Sequence, residues 1–250
     1  MALTDSLVAY WRLDEASGSR ADAVGSATLT DNNTVGSAAG NISALAAAFV
    51  AASSEYLSTT NATAAGTVKG SASWTLTAWI NPTDVLNTRT AACGTFDAAF
   101  SGLMGVRRAP YAAADGANAD QIFWQFWNDG GTLYTAEVTG TSGRTLAGQW
   151  SFISCQFDSA TGKMRSRTNA TASSDVTLSG TFSANAQLDI GRRGNGGQYF
   201  TGSIAHVGLW SRALTSGELD TLYNSGAGMD PTNSQSIVPH MSAGYQWWAL

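Results

Sequence analysis

Apolar and aromatic residues in this chain come in short bursts, and the bursts are separated by Gly, Asn, Asp and Ser. Chain punctuated this way has no room for long helices and reads as many short strands joined by surface turns. The candidate strands are Leu7–Leu13, Ala46–Phe49, Glu55–Ser58, Trp74–Asn81, Gly102–Arg107, Gln121–Trp127, Leu133–Val138, Trp150–Phe157, Lys163–Asn169, Gln187–Gly191 and Gly202–Trp210. Their spacing predicts an all-β fold, a two-sheet antiparallel sandwich.

Two turns have a mechanism. Asn128-Asp129-Gly130-Gly131 and Asp158-Ser159-Ala160-Thr161-Gly162 supply residues that tolerate positive φ, so each predicts a hairpin. Within Trp150–Phe157, period-2 alternation puts Ile153, Cys155 and Phe157 on one face. Cys155 then reads as a small core hydrophobe, with a disulfide to Cys93 or reactive chemistry as the alternatives.

One stretch breaks the β rhythm. Thr215 with Glu218 three residues later forms a capping box, and Leu219, Leu222 and Tyr223 fall on one face of a short helix over 215–223. Residues 17–44 are rich in Gly, Ser, Ala and Asn and read as long surface loops with a covering role; residues 109–119 read as a mobile loop. The sandwich is placed at 1–228, and 229–250 is read as a C-terminal extension. That extension ends in Tyr245-Gln246-Trp247-Trp248-Ala249-Leu250, an aromatic cluster costly to leave in water. It folds back on its own sandwich, anchors the chain to a partner or a second copy, or is a disordered end, and the sequence leaves all three open.

Composition excludes several classes. Of the 250 residues only 12% are charged, with 13 basic against 18 acidic and no basic run, so neither a phosphate backbone nor an anionic bilayer finds a complementary surface. No segment approaches the roughly 18 consecutive apolar residues of a spanning helix, and the first ten residues do not look like a secretion signal. Two cysteines and two histidines, His206 and His240, make neither a disulfide scaffold nor a zinc spacing. Asn32, Asn41, Asn61 and Asn169 each begin an Asn-x-Ser/Thr sequon and are read as turn residues.

Five blocks carry a family resemblance: Leu7–Glu15, Ser73–Pro82, Gln149–Asp158, Leu188–Arg192 and Phe200–Thr215. In order and spacing they resemble the laminin-G-like, concanavalin A-like lectin/glucanase jelly roll, of the kind found in bacterial and phage surface proteins, over about residues 5 to 228. The resemblance implies two curved antiparallel sheets, one concave, with the chain ends on neighbouring strands, so that Leu7–Leu13 pairs near Ile204–Trp210. Where relatives often carry an acidic pair after Gly-x-Ile, this chain has Ala205-His206. Where relatives have a strand and an Asn/Asp-Gly turn, it has Arg165–Ala170. Both departures weaken the transfer of any polar site.

Catalytic patterns are missing from the sequence. Retaining glycosidases need two carboxyl groups about 5–5.5 Å apart. The nearest match, Glu218-Leu219-Asp220, falls in the predicted helix, where residues two apart point in different directions. No Gly-x-Ser-x-Gly elbow or phosphate-cradling loop is present. The chain is therefore read as no enzyme.

Binding chemistry is better represented. The run Phe123–Asp129 places Phe123, Gln125 and Trp127 on one side of a strand and Trp124 and Phe126 on the other. One side is core, and the other is core as well, a groove floor or an oligomer contact. Candidate ligand residues are Trp124, Trp127, Asn128 and Asp129, joined by Arg192, Arg193 and Asn195 of the loop after Gln187–Gly191. Aromatic faces beside amides and guanidinium groups suit sugar rings, which present C–H patches ringed by hydroxyls. Calcium, which the resemblance allows, has Asp97, Asp115 and Asp120 as weak candidates, with Asn118 and Asp129 nearby, and none shows a fixed ligand spacing.

The expectation is a non-catalytic recognition or display module on a larger surface assembly, such as a phage virion decoration or fibre component with glycan binding. Its partner would be a capsid, tail or surface-layer protein or a sister subunit, engaged through Tyr245, Trp247, Trp248 and Leu250, on a virion or cell surface. A purely structural or oligomerisation module and a free lectin or carbohydrate-binding module are the alternatives.

Overall fold

The computed structural model describes residues 2–69, 71–83, 90–96, 102–108, 119–138, 144–194 and 197–233. The first third carries β1 (Leu7–Trp11), β2 (Thr30–Asn32), β3 (Gly36–Ala39), β4 (Leu45–Phe49), β5 (Tyr56–Thr59), helix α1 (Ala62–Thr67) and β6 (Trp74–Pro82). Then follow β7 (Thr90–Phe96), β8 (Gly102–Arg108), β9 (Ala119–Trp127), β10 (Leu133–Glu137) and β11 (Arg144–Leu146). The last third holds β12 (Ser151–Asp158), β13 (Lys163–Thr168), β14 (Thr171–Ala172), β15 (Val176–Thr177), β16 (Gln187–Ile190), β17 (Gly202–Trp210) and helix α2 (Ser216–Tyr223).

These strands pair into two antiparallel sheets. One runs β14-β13-β12-β6-β17-β4-β3, with β1 also on β17 and β15 on β13; the other runs β10-β9-β8-β7-β16-β5-β2, with β11 on β9. The ends of the sandwich meet as the resemblance implied, with Leu7 opposite Trp210 and Trp11 opposite Val207. Both predicted hairpins form, pairing Trp127 with Leu133 and Asp158 with Lys163.

Alternation sorts the side chains. Ile153, Cys155 and Phe157 of β12 point into the inter-sheet core with Trp11, Trp74, Trp124, Leu188, Ile190 and Val207. Removing a large apolar side chain from water contributes roughly 1.5–3 kcal/mol, so these residues dominate stability. The indoles also fasten loops: Trp11 Nε1 donates to the Ala27 carbonyl at 2.6 Å and Trp74 Nε1 to that of Lys69 at 2.7 Å. Both cysteines are free and buried, and burial pushes the Cys93 thiol up to about 12.

The opposite face of the first sheet is not left to solvent. Trp79, Phe152 and Trp210 form a second apolar cluster with Leu214, Leu219 and Leu222, covered by α2. That helix starts on its capping box: Thr215 Oγ1 accepts from the Glu218 amide at 3.2 Å, and Glu218 Oε2 accepts from the Thr215 amide at 2.8 Å.

One expectation is corrected. Residues 17–44 do more than cover: they contain β2 and β3, and Ala27, Leu29 and Val35 belong to the core. Charged side chains hold this region together with those few apolar ones. At the start of the 229–250 extension, Arg12 Nε donates to Asp230 Oδ2 and Arg12 Nη2 to Thr232 Oγ1, both at 2.6 Å. Asp230 and Pro231 are buried there. Tyr245, Trp247, Trp248 and Leu250 lie outside the described residues, as does nearly all of the 109–119 loop.

Arg212 grips Glu218 through Nη1 and Nη2 at 2.8 and 2.7 Å and holds its carboxyl down at about 2, against an ordinary 4.5. A carboxylate depressed by folding stabilises above its ordinary range and loses that contribution as pH falls toward the depressed value. Glu218→Gln therefore lowers the melting temperature at pH 7 by about 2–4 °C, the equivalent of a lost cap. Calorimetry should show wild type and variant converging between pH 5 and 2; a gap that stays constant with pH contradicts this role.

Candidate ligand-binding face

The outward face of the second sheet is built by the same alternation. Ile122, Trp124 and Phe126 of β9 enter the core, which turns Phe123, Gln125 and Trp127 outward. On β16, Leu188 and Ile190 go in, leaving Gln187 and Asp189 out; on β5, Leu57 goes in and Tyr56 and Ser58 face out. The loop after β16 crosses this face. It lies so close to β7 that a Cβ on Gly94 would sit 2.7 Å from both the Arg192 carbonyl oxygen and the Gly194 nitrogen.

That crossing sets two guanidinium groups over two aromatic rings. Arg192 lies 3.4 Å from the centroid of Tyr56, and Arg193 lies 4.9 Å from that of Trp127. Such stacking contributes about 0.5–1 kcal/mol at exposed sites and more when desolvated. Tyr199 joins the first stack, with its ring 6.4 Å from Tyr56 and a hydrogen bond to Arg192. Trp127 packs on Phe123 and Ala91. Tyr56, Trp127, Arg192, Arg193 and Tyr199 all remain partly exposed.

Asp189 orients the first stack from below. Its Oδ2 accepts from Arg192 Nε at 2.8 Å and its Oδ1 from Gln187 Nε2 at 2.6 Å, and it is fully buried beneath them. Burial pushes its carboxyl up, while the Gln187 amide and the guanidinium pull it back. The guanidinium is thus fixed in direction by an ion pair shielded from water.

The proposed ligand residues separate on this surface. Trp127, Arg192 and Arg193 come together. Trp124 does not join them: it is fully buried in the core, 5.2 Å from Trp74, because its strand parity is that of Ile122 and Phe126. Asn128 and Asp129 serve the hairpin. Asn128 Oδ1 accepts from the Thr132 amide at 2.8 Å and its Nδ2 donates to the Ser179 carbonyl, while Asp129 accepts from the Ser183 amide at 2.9 Å. Asn195, Asp97, Asp115 and Asn118 lie outside the described residues, and so does the side chain of Asp120. Among the described residues no group of three or more His, Cys, Asp and Glu is placed to hold a metal ion. Tyr56, Gln187 and Tyr199 also belong to this face and are not among the sequence-predicted residues; the alternation of Tyr56 with Leu57 is the one sequence signal for them.

Glu218 and Asp220 are each held by a different arginine, Arg212 and Arg167. His206 sits at a bulge in β17 with φ 50°. Its Nδ1 is 2.8 Å from the Tyr10 hydroxyl and its Nε2 is 3.1 Å from Ser43 Oγ, so both ring nitrogens are engaged. Burial pushes the imidazole down to about 4.

A family model described as "Concanavalin A-like lectin/glucanases superfamily" matches residues 52–220. No curated protein sequence matches. Among solved structures, the binding domain of Paraclostridial Mosquitocidal Protein 1 is similar at TM-score 0.68 and 14% identity, over 90% of this chain and 53% of that one. The botulinum neurotoxin serotype D binding domain is similar at TM-score 0.67 and 10% identity, over 88% and 52%. This chain thus spans about half the length of those toxin domains. Domain 4 of AbnA, a GH43 extracellular arabinanase from Geobacillus stearothermophilus solved with arabinotriose, is similar at TM-score 0.58 and 16% identity, over 90% of this chain and 98% of that domain. No helix among the described residues is long and apolar enough to cross a membrane.

Two outcomes follow from this geometry. Gly94→Val pushes the arginine loop off β7 and lowers the melting temperature by about 3–10 °C, the range expected for an overpacked site. Gly217→Ala, which has open space around its Cβ, leaves it unchanged or raises it. Equal melting temperatures for wild type and Gly94→Val would refute the close crossing. For His206, unfolding exposes an imidazole that takes a proton near 6.5, which the folded ring accepts only near 4. Wild-type stability therefore drops as pH falls from 6.5 to about 4, and His206→Gln flattens that part of the profile.

Proposed function

The chain belongs to the concanavalin A-like lectin/glucanase superfamily, and from that premise we propose that it is a non-catalytic glycan-recognition module. The observation that carries the proposal is the pair of guanidinium-over-aromatic stacks on the outward face of the second sheet, Arg192 on Tyr56 and Arg193 on Trp127. With a guanidinium over each ring, the contact surface for sugar C–H patches is the exposed ring edges and the outer guanidinium planes, and the fixed guanidinium and amide groups offer donors to the hydroxyls at the rim. β9 and β5 are four strands apart in sheet order, about 19 Å at the usual inter-strand spacing. That width suits a short oligosaccharide better than a single ring.

The similarity to an arabinanase domain solved with arabinotriose supports the sugar reading, and the similarity to toxin binding domains supports a module carried by a larger protein. Placement on a virion, as a decoration or fibre component, or on a cell-surface assembly is part of the proposal. So is anchoring to a capsid, tail or surface-layer protein, or to a sister subunit, through Tyr245, Trp247, Trp248 and Leu250. In support of an anchoring tail, Arg12 ties Asp230 and Thr232, at the start of the 229–250 extension, to the sandwich.

Titration calorimetry with arabinotriose and with neutral and acidic oligosaccharides, each with and without calcium, tests the site. Trp127→Ala and Tyr56→Ala should each weaken binding about tenfold, the effect of losing roughly 1.4 kcal/mol of contact. The circular dichroism of both variants should match wild type. Absence of binding across the whole panel, or full affinity in the double variant, would refute the reading.

A further inference from the structure

The segment joining β1 to β4 has few large apolar side chains, yet Leu29 and Val35 in it are fully buried. Two charged side chains organise it. The Asp22 carboxylate accepts from the amides of Tyr10, Val24 and Ala27, each at 3.0 Å. Arg20 is the positive counterpart and is itself fully buried. Its Nη1 donates to the Gly18 carbonyl, and its Nη2 donates to the carbonyls of Val35 at 3.0 Å and Gly36 at 3.2 Å. Its Nε faces Glu15 Oε2 at 3.8 Å; both atoms are buried and neither has another partner.

Three backbone carbonyls and one carboxylate surround this single positive centre with oxygen, fewer than the six to eight oxygens that a hard cation such as calcium takes. Here the guanidinium fills the cage, so the residues present do not fit a metal at this place. The position matters, because Val35 and Gly36 lie where the chain crosses from β2 in one sheet to β3 in the other. Asn32, at the end of β2, in turn donates to Ser58 Oγ on β5, two residues after Tyr56 and on the same outward parity.

We propose that Arg20 is an internal cation that closes this oxygen cage in place of a bound metal, so that residues 15–36 keep their shape without divalent ions. The inference does not depend on the glycan reading. A buried guanidinium is tolerated only when carbonyl and carboxylate oxygens compensate its lost hydration, and those oxygens in turn lack a partner if the guanidinium is removed.

Arg20→Met keeps most of the volume and deletes the charge, whereas Arg20→Lys keeps the charge and deletes the fork. The proposal predicts a melting temperature lower by about 10 °C for Arg20→Met and a smaller loss for Arg20→Lys. It predicts slowed-exchange protection of the Val35 amide in wild type that is insensitive to EDTA and to added calcium chloride. In Arg20→Ala, millimolar calcium chloride or methylguanidinium chloride should raise the melting temperature by several degrees over a sodium chloride control of equal ionic strength. Arg20→Met as stable as wild type, EDTA-sensitive protection at Val35, or an Arg20→Ala protein that neither cation stabilises would each overturn it. Should Arg20→Ala fail to fold, the Met and Lys variants and the wild-type exchange measurement decide.

Discussion

Trp74 and Trp124 face each other across the two sheets at 5.2 Å, and the rest of the molecule depends on the register that brings them there. Side chains along a strand alternate with a period of two, so a slip of one residue in β9 would turn Trp124 and Phe126 to the outward face and point Trp127 and Gln125 between the sheets. The core and the outward face are therefore one decision. Ring contacts of this geometry, edge or tilted rather than stacked face to face, are worth about 0.5–1.5 kcal/mol beyond the area they bury. With Trp11 and Trp210 also fully buried, indoles anchor both sheets and tie the loops that leave them.

Charge is scarce in this chain, and the structure uses it for internal architecture. Arg212 secures the start of α2, Arg167 reaches Asp220 on the same helix, and Arg12 holds Asp230. Arg20 organises the β2–β3 crossover, and Arg192 is directed by a buried Asp189. Ion pairs like these do little at an open surface, but fixing a planar fork against carbonyls or a carboxylate gives direction as well as energy. The same property makes the guanidinium groups above Tyr56 and Trp127 rigid features of the face proposed to bind glycans.

The fold was legible because its signals are local. Turn residues at 128–131 and 158–162, alternation in Trp150–Phe157 and the Thr215–Glu218 capping box each specify a nearby geometry. The candidate face was legible only in part. Trp127, Arg192 and Arg193 were singled out from residue type, but Trp124 was grouped with them because alternation alone does not say which parity is core. Tyr56 comes from a distant part of the chain and meets Arg192 only through the pairing of β5 with β16, while Tyr199 lies seven residues after Arg192, outside any strand, and carries no periodic signal. Residues 17–44 misled for a different reason: a stretch poor in large apolar side chains looks like surface, and the long-range bonds of Arg20 and Asp22 leave no periodic trace.

The most direct test follows the indole N–H signals of the nine tryptophans by NMR while arabinotriose, or the tightest-binding oligosaccharide found, is added. If the outward parity of β9 makes the binding face, the Trp127 signal moves with saturation while that of Trp124, sealed between the sheets, stays in place. Saturable binding that leaves Trp127 unmoved and shifts indoles on the α2 side of the sandwich, such as Trp79, would contradict the account.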